Sequence, residues 1–320
     1  MIAAPQLAKP ILILVGPTAI GKTAMSLAIA ERFGCEIVSV DSMQVYRFMD
    51  IGTAKASPSE RARVRHHIID IIDPDEQYDA ARFAADAKVA IADIHRRDRI
   101  PLLTGGTGLY LRALLEGIFE CLPADHDIRM NLQQRIVDEG PERLFSELVA
   151  CDPVTASRIH VNDRHRLVRA LEVYRVTGIP WSIHLERQKS TDFASDSANM
   201  LQIGLTCDRP ALYQRINQRC LKMIEYGLEE EVRGLLEQGY RKDLPSMRSL
   251  GYRHMLNYLD KTWTMAEVVN YLARDTRRYA KRQYTWFNAN HSIEWHSPEE
   301  TDVVCQRISH WLENHYAGSQ

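Results

Sequence analysis

The stretch Ile11-Leu12-Ile13-Leu14-Val15-Gly16-Pro17-Thr18-Ala19-Ile20-Gly21-Lys22-Thr23 decides the fold. Its first five residues are all aliphatic and read as a strand buried on both faces, since a half-exposed strand would alternate apolar with polar. Gly16 to Thr23 match the pattern G-x-x-x-x-G-K-[ST]. Glycines there let backbone amides close around phosphate oxygens, Lys22 supplies a point charge, and the Thr23 hydroxyl can ligate Mg²⁺. Thr23–Phe33 has helical spacing, so a bound anion would lie at a helix N-terminus. Strand, loop and helix in this order point to a di- or triphosphate ligand. They leave the chemistry open.

Outward from this segment, Glu36–Val40, Ile68–Ile72 and Ile100–Thr104 read as further buried strands. Between the last two, Phe83, Ala87, Ala90, Ile91 and Ile94 repeat at helical intervals. Alternation of this kind predicts a parallel sheet with helices on both faces. From about Pro123 the chain turns charged and helical as far as Arg187, and the polar stretch Gln188–Asn199 closes that region. Leu201–Thr206 resumes the strand signal, long helical patterns follow to about Asn288, and Ser292–Trp295 is a last strand. The expected fold is α/β, a P-loop NTPase-like parallel sheet with flanking helices. Residues 1–122 and 200–320 would form the core and 123–199 a helical insertion.

No aliphatic run approaches the eighteen residues a membrane span needs, and the N-terminus lacks a signal-peptide pattern. Six cysteines at 35, 121, 151, 207, 220 and 305 include no Cys-x-x-Cys, which argues for a reducing cytoplasm over a disulfide framework or zinc site. Forty Lys+Arg against forty-two Asp+Glu leave nucleic-acid binding to local patches rather than bulk charge.

Asp41 directly follows the second strand, where a doubly wound sheet opens its ligand crevice. A general base, a metal ligand and a helix cap all fit that position. Gly105-Gly106-Thr107-Gly108 follows the Ile100–Thr104 strand at the same edge and brings a hydroxyl beside close-packing glycines. Three basic clusters stand out: Arg164, Arg166 and Arg169 with His165; Arg248 and Arg253 around Ser249-Leu250-Gly251-Tyr252; and Arg274, Arg277, Arg278, Lys281 and Arg282 ahead of Tyr284-Thr285-Trp286-Phe287. Singly, each reads as a solvated helix face. Together, guanidiniums with neighbouring aromatics suit structured RNA, although arginines near a phosphate loop also suit a small-molecule kinase.

The segments GPTAIGKT (16–23), SVDSMQVYRFMDIGTAK (39–55), HHIIDIIDP (66–74), GGTGLY (105–110), DPVTASRIHVND (152–163), RALEV (169–173), LGYR (250–253) and YAKRQYTWF (279–287) together resemble the bacterial tRNA dimethylallyltransferases, in that family's order and across nearly the whole chain. Phe48 stands where the family usually has Gly, Ala56 where Pro is usual, Ile20 where Ser is common and Asn288 where Arg is frequent. The resemblance implies a cytoplasmic, monomeric enzyme that prenylates N6 of the adenine 3′ of the anticodon, with a nucleotide or small-molecule kinase as the rival. It implies that Gly16, Pro17, Thr18, Ala19, Ile20, Gly21, Lys22 and Thr23 hold the diphosphate of dimethylallyl diphosphate, with Mg²⁺ at Thr23; ATP is an alternative ligand of the same loop. Asp41 would be the general base, Thr107 a site hydroxyl and Arg219 a diphosphate ligand. Contacts to the tRNA anticodon stem-loop would come from Asp41, Ser42, Met43, Gln44, Thr107, Arg129, His165, Arg166, Leu167, Val168, Arg169, Arg248, Ser249, Leu250, Gly251, Tyr252, Arg253, Lys281, Arg282 and Gln283.

Overall fold

A computed structural model describes residues 9–117, 125–187 and 199–317. The chain forms two compact units, Met1–Leu111 with Asp196–Gln320, and Arg112–Ser195. The first begins β1 (Ile11–Val15), α1 (Lys22–Phe33), β2 (Cys35–Val40), α2 (Pro58–Arg63), β3 (His66–His67), α3 (Ala80–Arg96), β4 (Ile100–Gly105) and α4 (Gly108–Glu116), which leads into the second unit. That unit holds α5 (His126–Glu139), α6 (Pro141–Cys151), α7 (Pro153–Ala156), α8 (Arg164–Thr177) and α9 (Trp181–Arg187). The first then resumes with β5 (Met200–Leu205), α10 (Arg209–Glu225), α11 (Leu228–Glu237), α12 (Tyr252–Leu259), α13 (Met265–Phe287), β6 (Ile293–His296) and α14 (Thr301–Ala317). The polar stretch 188–198 and Cys121 lie outside the described residues.

Six strands in the order β3-β2-β4-β1-β5-β6 make one sheet, every pairing parallel. Every residue of β1 and β2 is buried, as continuous apolar strands covered on both faces require. All six strands run the same way, so the loops after β1, β2, β4 and β5 leave from one edge. The phosphate loop, Asp41 and Thr107 therefore share that edge.

One expected strand is wrong. Ile68–Ile72 is not in the sheet, and the third strand is His66–His67. Ile68 and Asp70 take left-handed backbone (φ 60° and 57°), which no strand tolerates. Their segment pairs instead with the loop after β2, Ile71 donating its amide to Val45 O at 2.9 Å. Ile68 and Ile72 are buried there all the same. The apolar signal was about burial, not about extension.

The helical unit has its own core of Leu132, Ile136, Leu144, Leu148, Leu167 and Leu171. Asp125, Asp152 and Asp163 cap α5, α7 and α8 through their side chains, and Gly178 in left-handed conformation ends α8.

Two substitutions test this frame. A Cβ on Gly105 would lie 2.0 Å from Val40 O, and strand backbone cannot yield without breaking the β2–β4 ladder. Gly105→Ala should lower stability by roughly 2–3 kcal/mol, read from urea unfolding. Phe48 has φ 63° and is largely exposed, a conformation that costs an L-residue about 1–2 kcal/mol. Phe48→Gly should therefore raise stability by up to about 1 kcal/mol after glycine's greater chain entropy is subtracted; a lower urea midpoint would contradict that strain.

Candidate active site

The phosphate loop closes tightly after β1. Gly16, Ala19 and Gly21 all have positive φ (150°, 65° and 115°), which curls the loop back on itself, with the Ile20 amide donating to Pro17 O. The N-cap of α1 is Gly21, which offers no side-chain acceptor to the first helical amides, so those donors are available to an anion. Ile20 is buried beneath the loop, and Arg215 donates to its carbonyl at 3.0 Å.

Lys22 Nζ donates to the carbonyls of Gly16 and Pro17 at 2.9 and 2.8 Å. Burial first, and then the charge of Arg219, pull its pKa down to about 7, against a smaller upward pull from Asp41. Arg219, from α10, is likewise held below its ordinary value by burial, again opposed by Asp41. Two desolvated cations thus face one carboxylate. An anionic ligand with two or more charges would satisfy both.

Asp41 Oδ1 accepts the amides of Met43 (2.8 Å) and Gln44 (3.3 Å), which fixes the side chain at the end of β2. No helix follows Asp41, since α2 begins only at Pro58; the helix-cap reading is corrected to an Asx-type turn, which orients the carboxylate. Thr107 is tied to the same loop, its amide donating to Val40 O and its Oγ1 accepting from Ser42 N at 3.2 Å. Thr107 also meets the hydroxyl of Tyr279, a phenol pushed up to about 12 chiefly by burial and next by Asp41.

Gln283, four residues after Tyr279 on α13, reaches across the edge. Its Oε1 accepts from Thr18 N and its Nε2 donates to Gly106 O, both at 2.9 Å. It clamps the phosphate loop to the turn after β4 and is buried, so its side chain is committed to holding this edge together.

The remaining candidates divide by exposure. Arg248, Lys281 and Arg282 are exposed and, among the described residues, form no salt bridge; Arg282 lies 5.6 Å over the Tyr279 ring. Arg253 is held at 2.8 Å by Asp275, which also binds Arg274. Gly251 caps α12 with φ 89°, Leu250 is half-buried and the Ser249 hydroxyl is buried without a partner. Tyr252 is fully buried and donates to Glu231, so its side chain is structural at this surface.

In the helical unit, Arg164, His165 and Arg166 stand exposed at the start of α8. Arg129 and Arg169 both bind Oε2 of Glu172, at 3.0 and 2.9 Å, and Glu172 itself has no exposed surface. A groove of about 420 Å³ runs between Arg129, Ile136, Arg164, His165 and Arg169. Leu167 is fully packed in the unit's core, which assigns its side chain to packing, whereas Val168 is buried against the same core and also lines the groove.

Sequence reasoning missed Tyr279, Glu172 and Glu231. The i, i+4 spacing of Tyr279 and Gln283 was the one available signal.

A parallel α/β sheet whose edge gathers a glycine-rich loop, two desolvated cations and an oriented carboxylate defines a P-loop-like protein with a site whose charge suits an anion. The IPP transferase family profile matches residues 44–290. The chain is 53% identical to the tRNA dimethylallyltransferase of Desulfotalea psychrophila over 97% of its own length and 98% of that protein's. Among solved structures, the tRNA isopentenylpyrophosphate transferase of Bacillus halodurans is 38% identical with TM-score 0.71, over 98% of this chain and 99% of that one. A eukaryotic dimethylallyltransferase acting on tRNA is 27% identical with TM-score 0.79, over 98% of this chain and 80% of that one. The chain belongs to the IPP transferase family.

The depressed Lys22 predicts a pH effect. A bound anion favours the ammonium, whereas the free protein loses that proton as pH rises through about 7. Inorganic diphosphate should bind more weakly from about pH 7 to about pH 9, by at most about tenfold per unit, with proton uptake in calorimetry. Lys22→Met should remove that part of the profile; an unchanged pH slope would take Lys22 out of the anion site.

Proposed function

We propose that this chain transfers the dimethylallyl group of dimethylallyl diphosphate to N6 of the adenine 3′-adjacent to the anticodon of tRNA, in the cytoplasm, releasing diphosphate. The observation that carries the reading is the convergence of Lys22, Arg219 and Asp41 at one sheet edge, in a chain whose relatives bear the name tRNA dimethylallyltransferase. The kinase alternative has the loop in its favour and none of these relatives.

The exocyclic N6 is a poor nucleophile, because its lone pair is delocalised into the ring, and the base must leave the stack to be reached. With Oδ1 of Asp41 engaged by backbone amides, Oδ2 is the oxygen to take the N6 proton as the C–N bond forms. The allylic C–O bond breaks in the same step, and negative charge collects on diphosphate. Loop amides, Lys22 and Arg219 stabilise that charge more strongly in the transition state than in the ground state. Exposed Arg164, Arg166, Arg248, Lys281 and Arg282 would hold RNA phosphates, by charge that salt screens.

A divalent ion fits this donor set. Thr23 offers its hydroxyl at the exposed start of α1, and no group of three or more His, Cys, Asp or Glu forms a cage among the described residues. Mg²⁺ commonly takes one or two protein oxygens and completes its shell with substrate phosphates and water. When bound it would neutralise part of the diphosphate charge.

Unmodified tRNA incubated with labelled dimethylallyl diphosphate, without ATP, should give labelled tRNA; no product from folded protein would sink the proposal. Asp41→Asn preserves the acceptor for the Met43 and Gln44 amides but not the base. Single-turnover transfer should then fall on the order of 10²–10⁴-fold, with tRNA affinity changing much less. Near-complete rescue at high Mg²⁺ would instead make Asp41 a metal ligand.

A further inference from the structure

Between β2 and α2 the chain has no regular element, and both Phe48 and Ala54 sit at positive φ. Such a loop holds one conformation only if other elements pin it. Its backbone turns three successive amides towards a single point, a nest that binds an anion. The anion is a side chain. Glu231 on α11 accepts Asp50 N at 2.8 Å and Ile51 N at 2.7 Å on Oε2, and Gly52 N at 3.0 Å on Oε1. Tyr252 on α12 donates to the same Oε1 at 2.6 Å. Four donors thus occupy the four acceptor positions of one carboxylate. The turn is also pressed flat on the tyrosine: a Cβ on Gly52 would lie 2.4 Å from the Tyr252 ring.

The next residue leads to the active site. Thr53 is buried, its hydroxyl donates to Met49 O at 2.7 Å, and its carbonyl lies 3.5 Å from Arg219 Nη2. The turn that Glu231 grips is therefore the surface against which Arg219 rests. Helix α11 does not need this carboxylate to dock, because Leu228, Val232 and Leu235 bury its apolar face.

We infer that Glu231 is a positioning residue for the diphosphate end of the site, fixing the turn at 50–52 and, through Thr53 O, the place of the Arg219 guanidinium. The inference rests on the diphosphate reading above. It demands a carboxylate rather than a shape: in Glu231→Gln the amide nitrogen would face N–H or O–H donors instead of accepting from them.

A double-mutant cycle tests it, with affinity for inorganic diphosphate measured by calorimetry in wild type, Glu231→Gln, Arg219→Ala and the double variant. Glu231→Gln should weaken diphosphate binding about tenfold, the scale of a misplaced ligand group, with tRNA affinity unchanged. In the Arg219→Ala background the same substitution should cost less than about twofold, because nothing remains to be positioned. Equal losses in both backgrounds, or no loss in either, would overturn the proposal. Tyr252→Phe removes one of the four donors and should show a smaller loss with the same dependence on Arg219, so it carries the cycle if Glu231→Gln does not fold. Because binding is read directly, a wild type that binds diphosphate yet yields no prenylated tRNA would count against the function and not against this inference.

Discussion

Lys22 and Arg219 are two half-buried, largely desolvated cations at one end of a parallel sheet, with the charge of the Asp41 carboxylate as partial compensation. Desolvating a charge is costly unless it is paired, and one carboxylate cannot fully pair two cations. An incoming anion would relieve that imbalance, and much of the surrounding structure keeps the unfavourable arrangement from relaxing. Gln283 ties the phosphate loop to the turn after β4. Glu231 and Tyr252 hold the loop after β2. Backbone amides fix Asp41. The Gln283 and Glu231 clamps are polar contacts spanning distant parts of the chain, whereas the hold on Asp41 is local; all are made where the sheet's own hydrogen bonds have ended.

That distinction decides what the sequence could tell. The strand Ile11–Val15, the phosphate loop and the helix after it are local patterns, legible because adjacent residues do the work. Ile68–Ile72 misled for a physical reason: burial in a loop and burial in a strand select the same residue types, and only the left-handed φ at Ile68 and Asp70 separates them. Leu167 and Val168 lay inside a basic segment, and which face of α8 turned inward depended on a core assembled with α5 and α6. The amides that Glu231 accepts lie as many as 181 residues away, and within Glu229-Glu230-Glu231 nothing marks the third glutamate. Long-range polar clamps leave no periodicity behind them.

The helical unit applies the same logic with the opposite sign. There a buried carboxylate, Glu172, holds two arginines, Arg129 and Arg169, at the rim of a groove. A buried carboxylate with no cation would be costly, so Glu172 and its arginines depend on one another. The arrangement gives up net positive charge in exchange for guanidiniums held in place before a ligand arrives, which lowers the conformational entropy lost on binding. Arg164, unpaired by any salt bridge among the described residues, stands exposed at the same rim. Fixed guanidiniums select geometry, and exposed ones supply long-range attraction. A chain with net charge −2 cannot attract a polyanion through its average field. It has to do so through such local separation, with acids spent inside the structure on holding cations and bases left outside to meet the ligand.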